Sequence, residues 1–199
     1  MNTAVIGFPR VGKLRELKFA SEKFFRQEIS EEELLAVAAE LRKEHWGFEK
    51  EAGIHYISSN DFSFYDGMLD TAVMLGAVPQ SYRGLGLSDL ATYFAMARGY
   101  QGDHGDVKAF PMKKWFNTNY HYMVPQLFDD MKLALSKDKL IGEYEEAKNA
   151  GILTKPVVIG PFTFLKLANY NGKKQLSDFV PEIRAAYEEL FGELNKAGV

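Results

Sequence analysis

The sequence predicts an α/β fold with a parallel sheet. Two observations support this: short apolar runs alternate with longer helical patterns, and each run leads into a polar or Gly/Pro-bearing stretch before the next helix. A run of this kind is predicted to be a strand, and the helix after it to cross back over the sheet. The predicted strands are Thr3–Gly7, Ile54–Ser59, Lys108–Met112 and Pro156–Ile159.

About four βα units are half the number in a closed (β/α)8 barrel, which typically takes about 250 residues. Residues 1–199 are therefore predicted to form a single partial domain, the first half of such a barrel. The last residues, Lys196–Val199, have the composition of a helix end that leads into another strand. An open half-barrel exposes sheet edges and an apolar face, so self-association through those edges is expected.

The predicted helices have recognisable ends. Ser30 followed by Glu33 is a capping-box pattern, and Gly53 suits a left-handed helix cap. Pro181 is placed in the first turn of the last helix, where proline is tolerated. The segment Gly99–Val107 is predicted to be a mobile loop. The predicted helices span about 30–53, 66–75, 88–99, 140–150 and 179–196.

Composition and charge exclude several classes of function. The net charge of −3 and the isoelectric point near 5.9 argue against a general nucleic-acid-binding protein. No apolar run approaches the roughly 18 residues of a membrane span, and the N-terminus lacks the features of a signal peptide, so a cytoplasmic location is expected. The absence of cysteine excludes disulfides, thiolate metal sites and a cysteine nucleophile.

The first candidate site follows the first predicted strand. Gly7–Leu14 nearly matches the phosphate-binding G-x-x-x-x-G-K-[ST] loop, but Leu14 lacks the hydroxyl that ligates Mg²⁺ and Pro9 lacks a backbone N–H, so that interpretation is disfavoured. From residue 10 to residue 18, four cations oppose one carboxylate, a local net charge of +3. Arg15 and Lys18 share a face where a helix begins, which suits an anion-binding site. A solvated basic face, balanced by nearby glutamates, is the alternative.

The second candidate site is Lys113–Tyr122, which follows the third predicted strand. Loops after strands form the active-site face of a barrel. This one combines two lysines, amide side chains, a histidine and large aromatic rings, a set that can hold a polar ligand. The alternative is that His121 and the tyrosines are core or interface groups.

Two aspartates follow the second predicted strand. Asp66 is expected to cap the next helix, because an aspartate side chain can accept the free N–H groups of a first turn. Pairing of Asp61 or Asp66 with Arg10 or Arg15 is the alternative. The histidines show no metal-ligand spacing, so no metal site is predicted.

Taken in order, these motifs resemble cobalamin-independent methionine synthase, the 5-methyltetrahydropteroyltriglutamate–homocysteine methyltransferase family. The resemblance extends over essentially all 199 residues. Its most specific part is the long run that begins at Lys114. The matching segments are Gly7–Gly12, Arg15–Lys18, His45–Trp46, Asp61–Phe62, Tyr65–Asp66, Lys114–Pro125 and Val157–Pro161.

The resemblance implies a full enzyme of two face-to-face (β/α)8 barrels, with this chain as the first half of the N-terminal barrel. The C-terminal barrel, absent from this chain, would hold zinc, bind homocysteine and support methyl transfer from the folate to make methionine. Arg15, Glu16, Leu17 and Lys18 would bind the polyglutamate tail of the folate, and Lys114 with Asn119 would make a second contact. The resemblance places no catalytic residue and no zinc ligand in this chain, so the chain alone is expected to be inactive.

A stand-alone, non-catalytic module is the alternative to an enzyme segment. Such a module would bind an anionic ligand or a partner subunit that supplies the catalytic barrel. A natural short protein would cover its sheet edges with polar substitutions or a capping segment. The sequence shows neither clearly, so the enzyme segment is favoured.

Overall fold

The computed structural model describes residues 2–199. These residues form two compact units: unit 1 comprises residues 2–64, 139–157 and 199, and unit 2 comprises residues 65–138 and 158–198. The predicted α/β class is confirmed, because helices alternate with short strands, some of which pair in parallel.

Helices account for most of the regular structure in residues 2–199. The helices are α1 (Glu16–Phe25), α2 (Glu31–Glu51), α3 (Gly67–Met74), α4 (Gln80–Arg83), α5 (Asp89–Arg98), α6 (Asp138–Asn149), α7 (Pro161–Leu167) and α8 (Leu176–Ala197). The strands are β1 (Ile57–Ser59), β2 (Tyr100–Gly102), β3 (Gly105–Val107), β4 (Met112–Lys114), β5 (His121–Met123), β6 (Gln126–Leu127), β7 (Thr154–Pro156) and β8 (Asn169–Tyr170). Within the described range, no helix is both long enough and apolar enough to cross a membrane.

Unit 1 is organised around α2. The Ser30 hydroxyl accepts a hydrogen bond from the Glu33 N–H, and the Glu33 carboxylate accepts one from the Ser30 N–H, so the predicted capping box is confirmed. α2 ends just before Gly53, whose φ is 74°. The Trp46 indole N–H donates to the Ser58 carbonyl at 2.9 Å and thereby ties α2 to β1. β1 pairs in parallel with β7.

Two apolar clusters fill the interior of unit 1. One joins α1 and α2, and the other joins α2 to β1 and α6. Burial of this apolar surface is the main stabilising contribution, worth roughly 25 cal/mol for each Å² removed from water. The clusters consist of Leu17, Ala38, Leu41 and Phe62, and of Trp46, Ile57, Ala147 and Ile152.

Unit 2 combines four short helices and the 22-residue helix α8 with three strand pairs. The Asp66 side chain caps α3, as predicted, and the Ser88 hydroxyl caps α5 by accepting the Ala91 N–H. β2 and β3 form one antiparallel hairpin, β4 and β5 form another, and β6 pairs in parallel with β8. Phe164 of α7 and Phe179 of α8 are fully buried and belong to the core of this unit.

The predicted strands are shorter than expected, and one of them pairs differently. Of Thr3–Gly7, only Ala4 forms a bridge, parallel to Tyr56. The third prediction, Lys108–Met112, is wrong in extent and direction, because Pro111 has no N–H for a ladder and the strand begins at Met112 in an antiparallel pair. The fourth strand ends at Pro156 instead of beginning there, because its partner β1 ends at Ser59.

Two other predictions in unit 2 are wrong. Gly99–Val107 is not an irregular loop, since β2 and β3 pair across the two-residue turn Asp103–His104. Pro181 does not lie in the first turn of α8. The Gln175 N–H donates to the Asp178 carboxylate, and this capping interaction starts the helix at Leu176, so that Pro181 falls in the second turn.

Candidate functional site

The first segment, residues 7–18 of unit 1, is a loop that leads into α1. Arg15 is the N-cap residue and adopts the left-handed conformation, with φ 66° and ψ 34°, without a side-chain cap. Gly12 has φ +85°, and a Cβ there would lie 2.1 Å from Glu16 Oε2. The same oxygen accepts the Leu14 N–H at 3.0 Å. Glu16 therefore fixes the turn that carries Arg15, and the turn requires glycine at position 12.

The predicted contact residues of the first segment lie in different environments. Arg15 and Lys18 are exposed, whereas Leu17 is only 4% exposed and packs in the cluster between α1 and α2. Lys18 Nζ lies 3.5 Å from Glu22 Oε1, one helical turn along α1. In residues 2–199 the structure gives the Arg15 guanidinium no hydrogen bond or ion pair. Arg15 is therefore accessible to an anion, as is the exposed Lys13 of the same segment.

The first segment is not a phosphate-binding backbone cradle. The Phe8 N–H donates to Asp61 Oδ2 at 2.8 Å, and the Leu14 N–H donates to Glu16. Gly7 lies so close to Asp61 that an added Cβ would be 3.0 Å from Oδ2. Because carboxylates of the chain itself bind these N–H groups, an incoming anion would depend on the side-chain cations.

The second segment is the β4–β5 hairpin, residues 112–123 of unit 2. The Trp115 N–H donates to the Tyr120 carbonyl at 2.7 Å, which closes a loop containing the exposed Asn119. In the antiparallel register Lys114 is opposite His121, so these two side chains lie on the same face of the hairpin. His121 Nδ1 lies 2.9 Å from the Asn119 carbonyl oxygen, an acceptor, so Nδ1 carries the proton in this contact.

The tip of the hairpin combines charge with aromatic surface. Phe116 has a φ of 51°, an uncommon conformation for a bulky residue, and its side chain is 65% exposed. Trp115 contacts both Phe116 and Tyr122 in edge-to-face geometry, at centroid distances of 5.2 and 5.7 Å. Lys114 is exposed, and within the described residues no ion pair or hydrogen bond involves its ammonium. An anion can therefore reach Lys114 without displacing a carboxylate.

A buried carboxylate holds this hairpin to the start of α3. Asp66 is 2% exposed and accepts the N–H groups of Met68 and Leu69, each at 3.1 Å. It also accepts the Met123 N–H at 2.9 Å and the Tyr120 hydroxyl at 3.3 Å. Burial raises the pKa of Asp66, although its backbone hydrogen bonds act in the opposite direction. The sequence pattern predicted the helix cap but gave no indication of the two hairpin contacts.

The sequence left open that Asp61 or Asp66 pairs with Arg10 or Arg15. The structure gives Asp66 other partners. Its four hydrogen-bond donors are backbone N–H groups and a tyrosine hydroxyl. Tyr93 supports the same turn, because its hydroxyl oxygen accepts the N–H groups of Tyr65 and Asp66 at 3.0 and 3.3 Å. Asp66 is thus a structural group of unit 2.

Comparison with known proteins places the chain in a family. The family model for the N-terminal domain of cobalamin-independent synthase matches residues 2–199. The chain belongs to this family. It is 54% identical over 198 residues to 5-methyltetrahydropteroyltriglutamate–homocysteine methyltransferase of Streptococcus pneumoniae serotype 19F, and 54% and 52% identical to the enzymes of that name from Streptococcus gordonii and Streptococcus thermophilus. Each alignment covers all of this chain but only 26% of the relative.

The residues of this synthase domain do not fit the zinc ion that the sequence resemblance implies for the full enzyme. The chain contains no cysteine, and residues 2–199 hold no group of three or more histidine, aspartate or glutamate side chains arranged to bind a metal. His45 is 5% exposed, stacks on Phe8 at a centroid distance of 4.5 Å, and has its pKa lowered by burial. We therefore assign no zinc ligand within residues 2–199.

Proposed function

We propose that this chain contributes to the reaction for which its relatives are named, the transfer of a methyl group from 5-methyltetrahydropteroyltriglutamate to homocysteine, which makes methionine. Its own part is to bind the polyglutamate tail of the folate. The catalytic groups and the zinc are proposed to lie in the C-terminal barrel of the enzyme, and the chain alone is proposed to be inactive. Family membership over residues 2–199 supports this assignment.

The accessible cations carry the binding proposal. Arg15 and Lys114 are exposed and have no ion-pair partner within residues 2–199, and each lies in a segment of defined backbone geometry. A triglutamate tail is a chain of carboxylates, and charge-assisted hydrogen bonds from arginine and lysine are the strongest contacts that it can make. We propose that Arg15 and Lys18 contact the tail from the first segment, and that Lys114 and Asn119 contact it from the hairpin.

Glu16 and Leu17, the other two predicted residues, are proposed to hold the first segment in shape. Leu17 anchors α1 in the core, and Glu16 fixes the turn before the helix. A carboxylate beside a bound anion costs Coulomb energy, so the Glu16 side chain is proposed to hold the turn through the Leu14 N–H and not to contact the tail itself. Contacts from the backbone of these two residues remain part of the binding assignment.

We further propose that the strand–helix units belong to a (β/α)8 barrel, as one partial domain. The parallel pairs β1–β7 and β6–β8 support this, because parallel strands joined through helices are the repeating unit of such a barrel. The antiparallel hairpin β4–β5 would then be an addition to the barrel pattern.

Titration of the chain with γ-linked triglutamate, followed by amide chemical shifts in nuclear magnetic resonance spectra, tests the binding site. We expect Lys18→Ala and Lys114→Ala each to weaken binding about three- to tenfold, because a solvent-accessible charge pair contributes about 1 kcal/mol. Binding should also weaken as salt is added, since exposed charges are screened. In the gene product that contains this chain, both substitutions should raise the KM for the folate with little change in kcat.

Two exposed lysines provide matched controls. Lys43 on α2 serves as the control for Lys18, and Lys132 in unit 2 serves as the control for Lys114. Each control removes the same charge outside the proposed contacts. Unchanged affinity in both Lys18→Ala and Lys114→Ala, or equal losses in the controls, would overturn the assignment.

A further inference from the structure

The Asp66 carboxylate divides its hydrogen bonds evenly between a helix and the hairpin. Oδ1 accepts the Met68 N–H and the Tyr120 hydroxyl, and Oδ2 accepts the Leu69 and Met123 N–H groups. Each oxygen thus binds one donor from the first turn of α3 and one from the hairpin. A helix cap alone needs only the first member of each pair.

The hairpin donors lie next to the proposed binding groups. Tyr120 follows Asn119 in the chain, and its carbonyl accepts the Trp115 N–H at 2.7 Å, directly after Lys114. A shift of Tyr120 therefore moves the backbone on both sides of the loop at once. Met123 ends β5, so its N–H contact fixes the other end of the strand that is opposite Lys114.

We propose that Asp66, acting through Tyr120, is a positioning residue that holds Lys114 and Asn119 in the geometry that binds the carboxylates of the folate tail. This inference rests on the proposed function. Side chains that bind a ligand gain affinity when a second set of contacts fixes them before the ligand arrives, because less conformational entropy is lost on binding. Asp66 provides such contacts from a buried position.

The Tyr120 hydroxyl is the most suitable group to remove. The Tyr120 side chain is 46% exposed, so Tyr120→Phe leaves no new cavity and does not depend on repacking a core. Tyr100→Phe, in the β2–β3 hairpin of the same unit, removes a hydroxyl outside the proposed site and is the matched control. Asp66→Asn keeps the size of the side chain but replaces one acceptor oxygen with a donor.

The experiment measures the affinity for γ-linked triglutamate of the parent chain, Tyr120→Phe, Asp66→Asn and the double variant. We expect Tyr120→Phe to weaken binding about threefold, less than the full worth of a hydrogen bond to a carboxylate, because the hydroxyl acts on the ligand only through Lys114 and Asn119. The urea midpoint should change little, and Tyr100→Phe should have no effect. In the Asp66→Asn background the same substitution should have no further effect, because the contact is already disturbed. An equal loss in both backgrounds would mean that the hydroxyl acts on the ligand directly, and would overturn the inference.

A second measurement needs neither the ligand nor the Asp66 variant. In the ligand-free chain, Tyr120→Phe should shift the amide resonances of Lys114, Trp115 and Asn119 more than those of the β2–β3 hairpin. Unchanged resonances would overturn the positioning role even if Asp66→Asn fails to fold. If Lys114→Ala weakens binding and Tyr120→Phe does not, the inference falls and the proposed function stands. If Lys114→Ala has no effect, the role assigned to the hairpin falls with the proposed contact.

Discussion

In both segments proposed to bind the folate tail, carboxylates accept backbone N–H groups, but these carboxylates differ in how deeply they are buried. In the first segment (residues 7–18), the half-buried Asp61 accepts one N–H from Phe8, and Glu16 accepts one from Leu14. The hairpin (residues 112–123) donates two hydrogen bonds, from the Tyr120 hydroxyl and the Met123 N–H, to the fully buried Asp66. Asp66 lies outside the hairpin and also caps α3. Carboxylates therefore fix the backbone in both segments, but only in the hairpin is the carboxylate shielded from water.

The difference affects the surface charge that each segment offers to an anion. Glu16 lies beside Arg15 and Lys18 in the chain, and Glu22 pairs with Lys18, so carboxylates offset the cations of the first segment. The hairpin loop contains no acidic residue between Lys114 and His121, and its anchoring carboxylate is 2% exposed. A buried anchor thus fixes a binding loop without reducing the attraction of its cations. We expect Lys114 to contribute more to binding than Lys18.

The largest effect is expected from removing the buried anchor. Asp66→Ala should lower the free energy of unfolding by about 3 kcal/mol or more, because the cap is lost and buried N–H groups are left without acceptors. Asp61→Ala, the matching change in the first segment, should cost about 1 kcal/mol, since only one part-buried N–H loses its acceptor. Urea denaturation of both variants gives the comparison. Equal losses would show that burial does not distinguish the two anchors.

A smaller, pH-dependent effect is expected at Glu49 of α2, a buried carboxylate of unit 1. Glu49 is 5% exposed, and its Oε2 atom has no hydrogen-bond partner. Burial raises its pKa, a hydrogen bond with the Ser58 backbone acts against this, and the charge of Asp61 raises the pKa further. Unlike Asp66, this carboxylate has too few donors to offset its loss of hydration.

The sign of the Glu49 effect follows from its raised pKa. The folded chain holds this proton more tightly than the unfolded chain, so the stabilising contribution is complete below the ordinary pKa of 4.5 and is lost as the pH rises through the folded pKa. Glu49→Gln does not titrate and should gain stability relative to the parent as the pH rises. Urea unfolding at about pH 4 and pH 7 measures the difference, with the exposed Glu44→Gln as control. A constant difference between Glu49→Gln and the parent would contradict this prediction.

Sequence patterns predicted some features that depend on near neighbours in the chain, although they missed the cap that starts α8 and the β2–β3 hairpin. The caps at Ser30 and Asp66 were correct, because each needs only the next few residues and the N–H groups that a helix leaves free. The hydrogen bonds of Asp66 with Tyr120 and Met123 span 54 and 57 residues, and no local pattern indicates them.

The hairpin itself was missed for a related reason. Lys108–Met112 has the apolar character of a strand, but pairing begins only after Pro111, and the partner lies beyond a polar, aromatic loop that was interpreted as a ligand-binding segment. The sequence shows Lys114 and Asn119 as polar residues of a segment that follows a predicted strand, but the backbone arrangement that holds them depends on antiparallel pairing and on a buried carboxylate from another element. Long-range contacts of this kind decide how a predicted loop is shaped.

The smallest expected effect concerns the surface pair in the first segment. Glu22→Gln removes the partner of Lys18, a pair whose side chains are 50% and 43% exposed, and should cost about 0.3 kcal/mol of stability. Affinity for γ-linked triglutamate should rise by up to about twofold, because Lys18 no longer has to leave the Glu22 carboxylate in order to bind a carboxylate of the tail. Glu188→Gln is the matched control, since it breaks the Arg184–Glu188 pair, also one helical turn apart and exposed, and changes the net charge equally. If both variants raise the affinity to the same extent, the gain comes from net charge alone and Lys18 makes no contact with the tail. A gain in affinity confined to Glu22→Gln would show that the ion pair with Glu22 limits the affinity of Lys18 for the tail. Lys114 is not limited in this way, because the carboxylate that fixes the hairpin is buried and does not pair with it.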